Sequence, residues 1–472
     1  MIHSRRQVLA AGAALPLLGN CARAAPGPVT VRVDPSKSLG RIPTDFMGLG
    51  YEISSVAVPG LLSAKNNDYV QLLLGLGIQG QGVLRIGGNT SDFSRYDALG
   101  TPASAPKATV VTEANLHELR GFLDAIKWKL IWGLNLGDDK LDNAVEEARA
   151  VASIMGDKLL ALEIGNEPDL FPRAGHRGAD YGYPAWLADY RRYKSAIRAV
   201  VPHAPFAGPD LAGAADWMEQ FARDERDIAL LTAHHYITGQ ANPAATIETM
   251  LADNPKYDAV LTRFQAAARA AGKPWRMCET ASFSGGGKDG VSNTFAAALW
   301  ALDYLFVLAE HGCAGVNMET GVNHLGWISH YTPIGDDLKG HYAKAPEYYG
   351  LYAFAFMAAG ELVAVDCQTG GINLTAHAVY GNRGPRGLDT GKAVRVALIN
   401  KDLRQDAEVS VTTGRKVTYA RPLLLSAPSA TATSGIVMDW APNAREGIKP
   451  EKDGAVRVHV PAASATLVWL EI

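Results

Sequence analysis

From about residue 44 to residue 320 the chain alternates short apolar runs with longer stretches whose apolar positions recur every three to four residues. Short apolar runs read as buried strands and the longer stretches as helices, so the pattern predicts βα units around a parallel sheet. Eight runs fit the strand template: Phe46 to Ile53, Gly82 to Ile86, Leu130 to Asn135, Leu159 to Gly165, Phe206 to Gly208, Ile228 to Tyr236, Trp275 to Glu279 and Ala314 to Glu319. Eight such units predict an α/β fold, a (β/α)8 TIM barrel, occupying residues 44–359 and closed by the helical stretch Tyr348 to Ala359.

Beyond that stretch the period changes to two. Segments such as Ala393 to Ile399 and Val456 to Val460 alternate between Gly, Pro, Asn and Asp punctuation, which predicts a C-terminal β-sandwich domain over residues 360–472. Val29 to Val33 has the same alternation, so residues 25–43 are expected to supply a strand to that domain.

Polar residues cluster at one end of the barrel runs. Glu52, Asn89, Asn135, Asn166, Glu167, His235, Tyr236, Glu279 and Glu319 each end or closely follow a run. In a barrel those ends form the catalytic face. The run Leu160 to Ile164 is the most informative, because it ends on Gly165, Asn166 and Glu167, an amide and a carboxylate that cannot both face a core.

Composition narrows the classes. The 472 residues are 47% hydrophobic and 20% charged, which excludes a disordered chain and predicts a sizeable core. Ser4-Arg5-Arg6, the apolar run Ala10 to Leu18 and Ala22-Arg23-Ala24 read as a twin-arginine export signal over residues 1–24, too short to span a bilayer. The expected location is therefore periplasmic or extracellular, with no membrane span in the mature chain. Loss of the signal's three arginines moves the formal charge from −3 to −6, which argues against nucleic acid as a partner. Cys278, Cys313 and Cys367 remain, an odd number without close spacing, so neither a disulfide framework nor a zinc site is indicated. Strict strand alternation turns Cys278 away from Glu279, into packing.

Two motifs mislead. Gly75 to Gly80 matches the dinucleotide fingerprint by letter, but a helical stretch precedes it and a strand follows, the reverse of what that fingerprint requires. His234-His235 places one imidazole inward and one outward, with no further ligand cluster nearby. No metal and no cofactor are expected.

Two carboxyls across one sugar ring are what cleavage of a glycosidic bond needs. Glu163, Glu279 and Glu319 compete as the partner of Glu167. Glu163 shares the parity of Glu167 and should sit lower in the lumen as a structural group, whereas the fourth and seventh strands lie across the mouth from each other, which favours Glu279.

Arg85-Ile86-Gly87-Gly88-Asn89-Thr90-Ser91-Asp92-Phe93, Glu163 to Pro168, His234-His235-Tyr236, Glu279 to Ser282 with Gly285-Gly286-Gly287, and Asn293 to Trp300 together resemble the heparanase and β-glucuronidase family of retaining glycoside hydrolases. The resemblance runs from about Phe46 to Ala359 in order and spacing. It implies that Glu167 is the acid/base and Glu279 the nucleophile. Asn166 would touch the sugar 2-hydroxyl, Tyr236 would sit by the nucleophile, and Glu52 and Asn89 would hold ring hydroxyls. In this family a Tyr and glycine amides after the nucleophile receive the uronic carboxylate; here Ser284 stands at the Tyr position, with Gly285 and Gly286 beside it. His235 and Tyr331 complete the substrate-binding candidates. The expected substrate is a β-glucuronide or a uronic-acid-containing oligosaccharide. A heparanase-like endo enzyme, a neutral-sugar β-glycosidase and a catalytically silent carbohydrate-binding protein stand as alternatives.

Overall fold

The computed structural model describes residues 27–101, 108–321, 328–383, 389–441 and 447–472. The export signal read over residues 1–24 lies outside them. Among the described residues no helix is long and apolar enough to cross a membrane.

Eight parallel strands form the barrel: β1 Gly48–Glu52, β2 Val83–Gly87, β3 Lys129–Leu134, β4 Leu159–Ile164, β5 Ala207–Leu211, β6 Leu230–Gly239, β7 Trp275–Ser284 and β8 Val316–Glu319. Each strand pairs with its sequence neighbour, β8 returns to β1, and β4 meets β5 through a parallel bridge from Leu162 to Phe206. The runs are apolar because both faces of each strand are covered, one by crossover helices and one by the lumen. Helix Glu113–Ile126 is a representative crossover: Thr112 and Asn115 cap its start reciprocally, and Leu116, Leu119, Phe122, Leu123 and Ile126 form its buried stripe.

β6 and β7 are ten residues long and stay paired past the barrel rim, from Ala281 opposite Tyr236 to Ser284 opposite Gly239. Their register slips once, since Met277 faces Ala233 whereas Glu279 faces His234. The extra residue is Cys278. It lies against the lumen residues Val83, Ile131 and Ala161, and its thiol comes close to Glu163 and Asp210. The outward orientation expected from strict alternation is corrected by this bulge: Cys278 and Glu279 both face inward, and the thiol is buried.

The second domain is one continuous nine-stranded mixed sheet among the described residues, and its flanks share a single core. The strand Val29–Arg41 lies inside it, antiparallel to Glu361–Gln368 and parallel to Ala407–Thr413. On the strand Asp389–Asn400, Val394, Val396 and Leu398 fill the core of this domain, while Ala397 and Ile399 turn to the barrel's core. Helix Phe295–Glu310 runs along the seam and is apolar nearly all round because both domains cover it.

Candidate active site

The strand ends of β1, β2, β4, β6, β7 and β8 open on a cavity of about 420 Å³ lined by Glu52, Asn89, Glu167, Tyr236, Glu279, Ser284, Gly285, Gly286, Glu319 and Tyr331. Nine of the eleven residues singled out in the sequence line it; Asn166 sits just beneath, with Nδ2 3.4 Å from Asn89 Oδ1. His235 does not belong there. Its ring points outward and stacks on Tyr257 at 3.5 Å, with Tyr304 beyond. The histidine of the site is His234, since lumen parity runs through Thr232, His234 and Tyr236.

Glu167 is held in an unusual backbone state, φ 50° and ψ 52°, a left-handed conformation that costs a non-glycine residue on the order of 1 kcal/mol. Its N–H donates to Asp210 O (2.9 Å) and its carbonyl accepts from Leu170 N–H (2.8 Å). The next carboxylate, Asp169, accepts from Ala212 and Gly213 N–H and ties this turn to the loop after β5. These bonds aim the Glu167 side chain across the mouth toward β7.

Glu279 Oε1 accepts from the Tyr236 hydroxyl at 2.7 Å, and Oε2 accepts from Arg85 Nη1 at 2.8 Å. Together the two donors fix the orientation of the Glu279 side chain. One carboxylate oxygen of Glu167, one of Glu279 and a ring nitrogen of His234 all lie within 4.8 Å of one another.

Beneath the pair lies a buried network that sequence reasoning missed. Arg85, from β2, is 0% exposed and donates to Glu163 (3.0 Å), Asp210 (2.5 Å), Glu279 (2.8 Å) and Asn166 (2.8 Å). His234 bridges Asp210 (2.7 Å) and Glu167 (3.1 Å) through its two ring nitrogens. Burial disfavours its charge, but Asp210 and Glu279 outweigh that and raise His234 well above 6.5. Burial likewise pushes Asp210 up, and Arg85 with His234 hold it down to about 2. Glu163 is fully buried in the lumen, its carboxyl raised to about 7 by burial and by Asp210. An arginine at odd parity in an otherwise apolar β2 run was the one signal available in the sequence.

Burial raises Glu167 above the usual carboxylate range, Glu279 adds to the rise, and His234 opposes it. Glu52 accepts from Thr90 N–H and Oγ1, both at 2.7 Å, and burial beside Glu279 pushes it up to about 7. Three successive glycines, Gly285, Gly286 and Gly287, have φ of 79°, 94° and 79°, a turn only glycine makes without strain. Gly286 O accepts from His330 N–H, which fastens this loop to the one carrying Tyr331.

The cluster of Glu167, His234 and Glu279 is poorly suited to a cation. Both nitrogens of His234 already meet carboxylates, and the Arg85 guanidinium stands against Glu279. A larger cavity of about 580 Å³ lies at the domain seam, where His235, Tyr257 and Trp300 face Asp303, His377 and Lys401. Its main charges are already paired, Asp303 with His377 (2.9 Å) and with Lys401 (2.8 Å), so the smaller cavity with its converging acids is the candidate site.

No protein-family model matches the chain. A β-glucuronidase of Aspergillus niger is 27% identical, over 82% of this chain and 83% of that protein. A β-glucuronidase of Neurospora crassa is 27% identical over 58% of this chain and 56% of its own length. Among solved structures, a 4-O-α-L-rhamnosyl-β-D-glucuronidase from Fusarium oxysporum superposes with a TM-score of 0.73 at 21% identity, covering 93% of this chain and 99% of its own. A family 51 arabinofuranosidase from Xanthomonas axonopodis pv. citri gives 0.71 at 18%, covering 94% and 100%. The barrel with its appended β-domain is thus a fold shared with known glycoside hydrolases, and the sequence likeness is to β-glucuronidases.

Proposed function

We propose that this homologue of the fungal β-glucuronidases is a retaining β-glucuronidase that removes a terminal β-linked glucuronic acid by double displacement. The observation that carries the mechanism is the approach of Glu167 and Glu279 oxygens to within 4.8 Å. Retaining glycosidases hold their carboxyls roughly 5 to 5.5 Å apart, inverting ones roughly 6.5 Å or more, because only the latter must admit a water between the base and the anomeric carbon.

Glu279, held by Tyr236 and Arg85, attacks the anomeric carbon while Glu167 gives its proton to the departing glycosidic oxygen. Bond formation removes the negative charge of Glu279, and with it one of the causes that keep Glu167 protonated. Glu167 therefore becomes a better base at the step where it must take a proton from water. Asn166 and Asn89 meet ring hydroxyls, and the amides of Gly285 and Gly286 receive the uronic carboxylate. The export signal read in residues 1–24 makes the periplasm or the medium the place of action.

Ser284 in place of a tyrosine, and the acids Glu52 and Glu319 in the wall, favour a second reading as a neutral-sugar β-glycosidase. Parallel assays with nitrophenyl β-glucuronide, β-glucoside and β-xyloside decide between them. A kcat/KM highest for the glucuronide, with β-glucuronic acid as the first product by proton NMR, is the expected result. Preference for the glucoside or xyloside moves the assignment to the second reading, and an α product removes the retaining mechanism.

A further inference from the structure

Glu319 has no task in the double displacement. It ends β8, is 3% exposed and lines the cavity, yet its Oε2 has no hydrogen-bond partner among the described residues. A buried polar atom left unpaired costs about 1–3 kcal/mol, so the chain keeps it there against its own stability. Room for it is built in. Gly50 on β1 is the register partner of Glu319, and a Cβ at Gly50 would stand 2.7 Å from Glu319 Oε2. Gly50 shares a face with Glu52 two residues on, so the missing side chain leaves the Glu319 carboxyl beside that of Glu52.

A buried orphan at the catalytic end of a barrel strand, opening on a cavity, has the character of a group whose partner arrives with the ligand. We propose that Glu319 is a substrate-binding residue whose Oε2 takes up a hydroxyl of the pyranose, so that Glu319 and Glu52 together cradle the hydroxyl-bearing edge of the ring. The inference rests on the glycosidase reading of the cavity and adds to it which wall the hydroxyls meet. The groups that face Glu319 are Glu52 from β1, Arg85 from β2, His234 from β6 and Glu279 from β7, with the phenols of Tyr51, Tyr236 and Tyr331. Burial and then the charges of Glu279 and Glu52 raise its carboxyl well above 4.5, against the opposing pull of Arg85 and His234. As a neutral acid it donates one hydrogen bond and accepts another, which matches a sugar hydroxyl. A uronic carboxylate would meet two acids at this wall, so it turns to the glycine loop.

The test is a cycle between protein and sugar, with wild type, Glu319→Ala and Glu319→Gln assayed on nitrophenyl β-glucuronide and its 2-, 3- and 4-deoxy analogues. Glu319→Ala is expected to lose about tenfold or more in kcat/KM, and one deoxy position that costs the wild type about tenfold should cost this variant less than about twofold. Glu319→Gln, which also donates and accepts, should keep more activity than the alanine variant. The substrate-free Tm of Glu319→Ala should equal or exceed that of wild type, since an unpaired buried acid has been removed. Kinetics of Glu319→Ala within about twofold of wild type, or every deoxy analogue losing the same factor in both proteins, would overturn the proposal. If the wild type cleaves another nitrophenyl glycoside and not the glucuronide, the proposed sugar falls, and the same cycle on deoxy forms of that glycoside still tests Glu319.

Discussion

His234 stands 3.1 Å from Glu167, and the opposite nitrogen of its ring is 2.7 Å from Asp210. The imidazole is therefore a charged strut between a buried aspartate and the proposed acid/base. Its charge opposes the burial that raises Glu167. Replacing it in His234→Asn removes a cation that favours the carboxylate, so Glu167 should stay protonated to higher pH. The alkaline limb of kcat/KM is expected to move upward by about one pH unit. An unmoved or lowered limb would remove His234 from this role.

Glu167→Ala and Glu279→Ala should each lower kcat by at least about 10² to 10⁴ without unfolding the protein. Azide separates the two. With Glu167→Ala the glycosyl-enzyme still forms and azide intercepts it, giving a β-glycosyl azide. With Glu279→Ala azide enters in a single displacement and gives the α product. Interchanged products, read by proton NMR, would interchange the roles.

Tyr236→Phe removes the 2.7 Å hydrogen bond to Glu279 Oε1 and little else. A hydrogen bond to a charged group contributes about 1.5–3 kcal/mol, so kcat/KM should fall roughly 10- to 150-fold. Circular dichroism should remain that of the wild type. A loss under about threefold would mean that Arg85 alone suffices to hold Glu279.

Arg85→Met leaves Glu163, Asp210 and Glu279 without their shared cation. Removing one partner from a buried charge cluster costs about 3–5 kcal/mol. Because the abandoned carboxylates can take up protons, the loss in urea unfolding should be smaller at pH 5 than at pH 8. An equal loss at both pH values would mean that packing of the arginine stem, not charge, is what matters.

The domain seam carries its own pH dependence. His377, from the strand Leu374–Arg383, meets Glu310 (2.7 Å) and Asp303 (2.9 Å) on helix Phe295–Glu310. Burial disfavours its charge, but these two acids raise it from 6.5 to about 10. A histidine raised on folding contributes stability in full below its unfolded value, and that contribution fades as pH rises through the folded one. Tm should therefore fall between about pH 6.5 and 10, and His377→Gln should start lower and show a flatter decline. A variant with the wild-type slope would assign that slope to other groups.

Much of the architecture was legible because period and punctuation are local properties. Each of the eight apolar runs falls on a barrel strand, the seventh strand continuing five residues past its run, from Glu279 to Ser284. The fifth extends from Ala207 to Leu211, beyond the predicted Gly208, because Pro209 and Asp210 interrupt the apolar signal without interrupting the strand. Asp389–Asn400 reads as half-buried alternation, but it is covered on both faces, a consequence of docking that no single strand records.

The residues around the cavity were equally readable, since polar side chains such as Asn166, Glu167 and Glu279 stand where an apolar run stops. Facing was not. Cys278 and Glu279 share the lumen because one residue is inserted in the pairing of β7 with β6, and His235 yields its place to His234 because parity is counted from the pairing. Arg85 binding three carboxylates, and Glu319 left without a partner beside Gly50, arise from side chains on strands far apart in the chain. Local sequence thus sets which segments become strands and which residues end them. Register, bulges and the meeting of distant strands decide which of those residues face one another, because each depends on positions summed around the closed barrel.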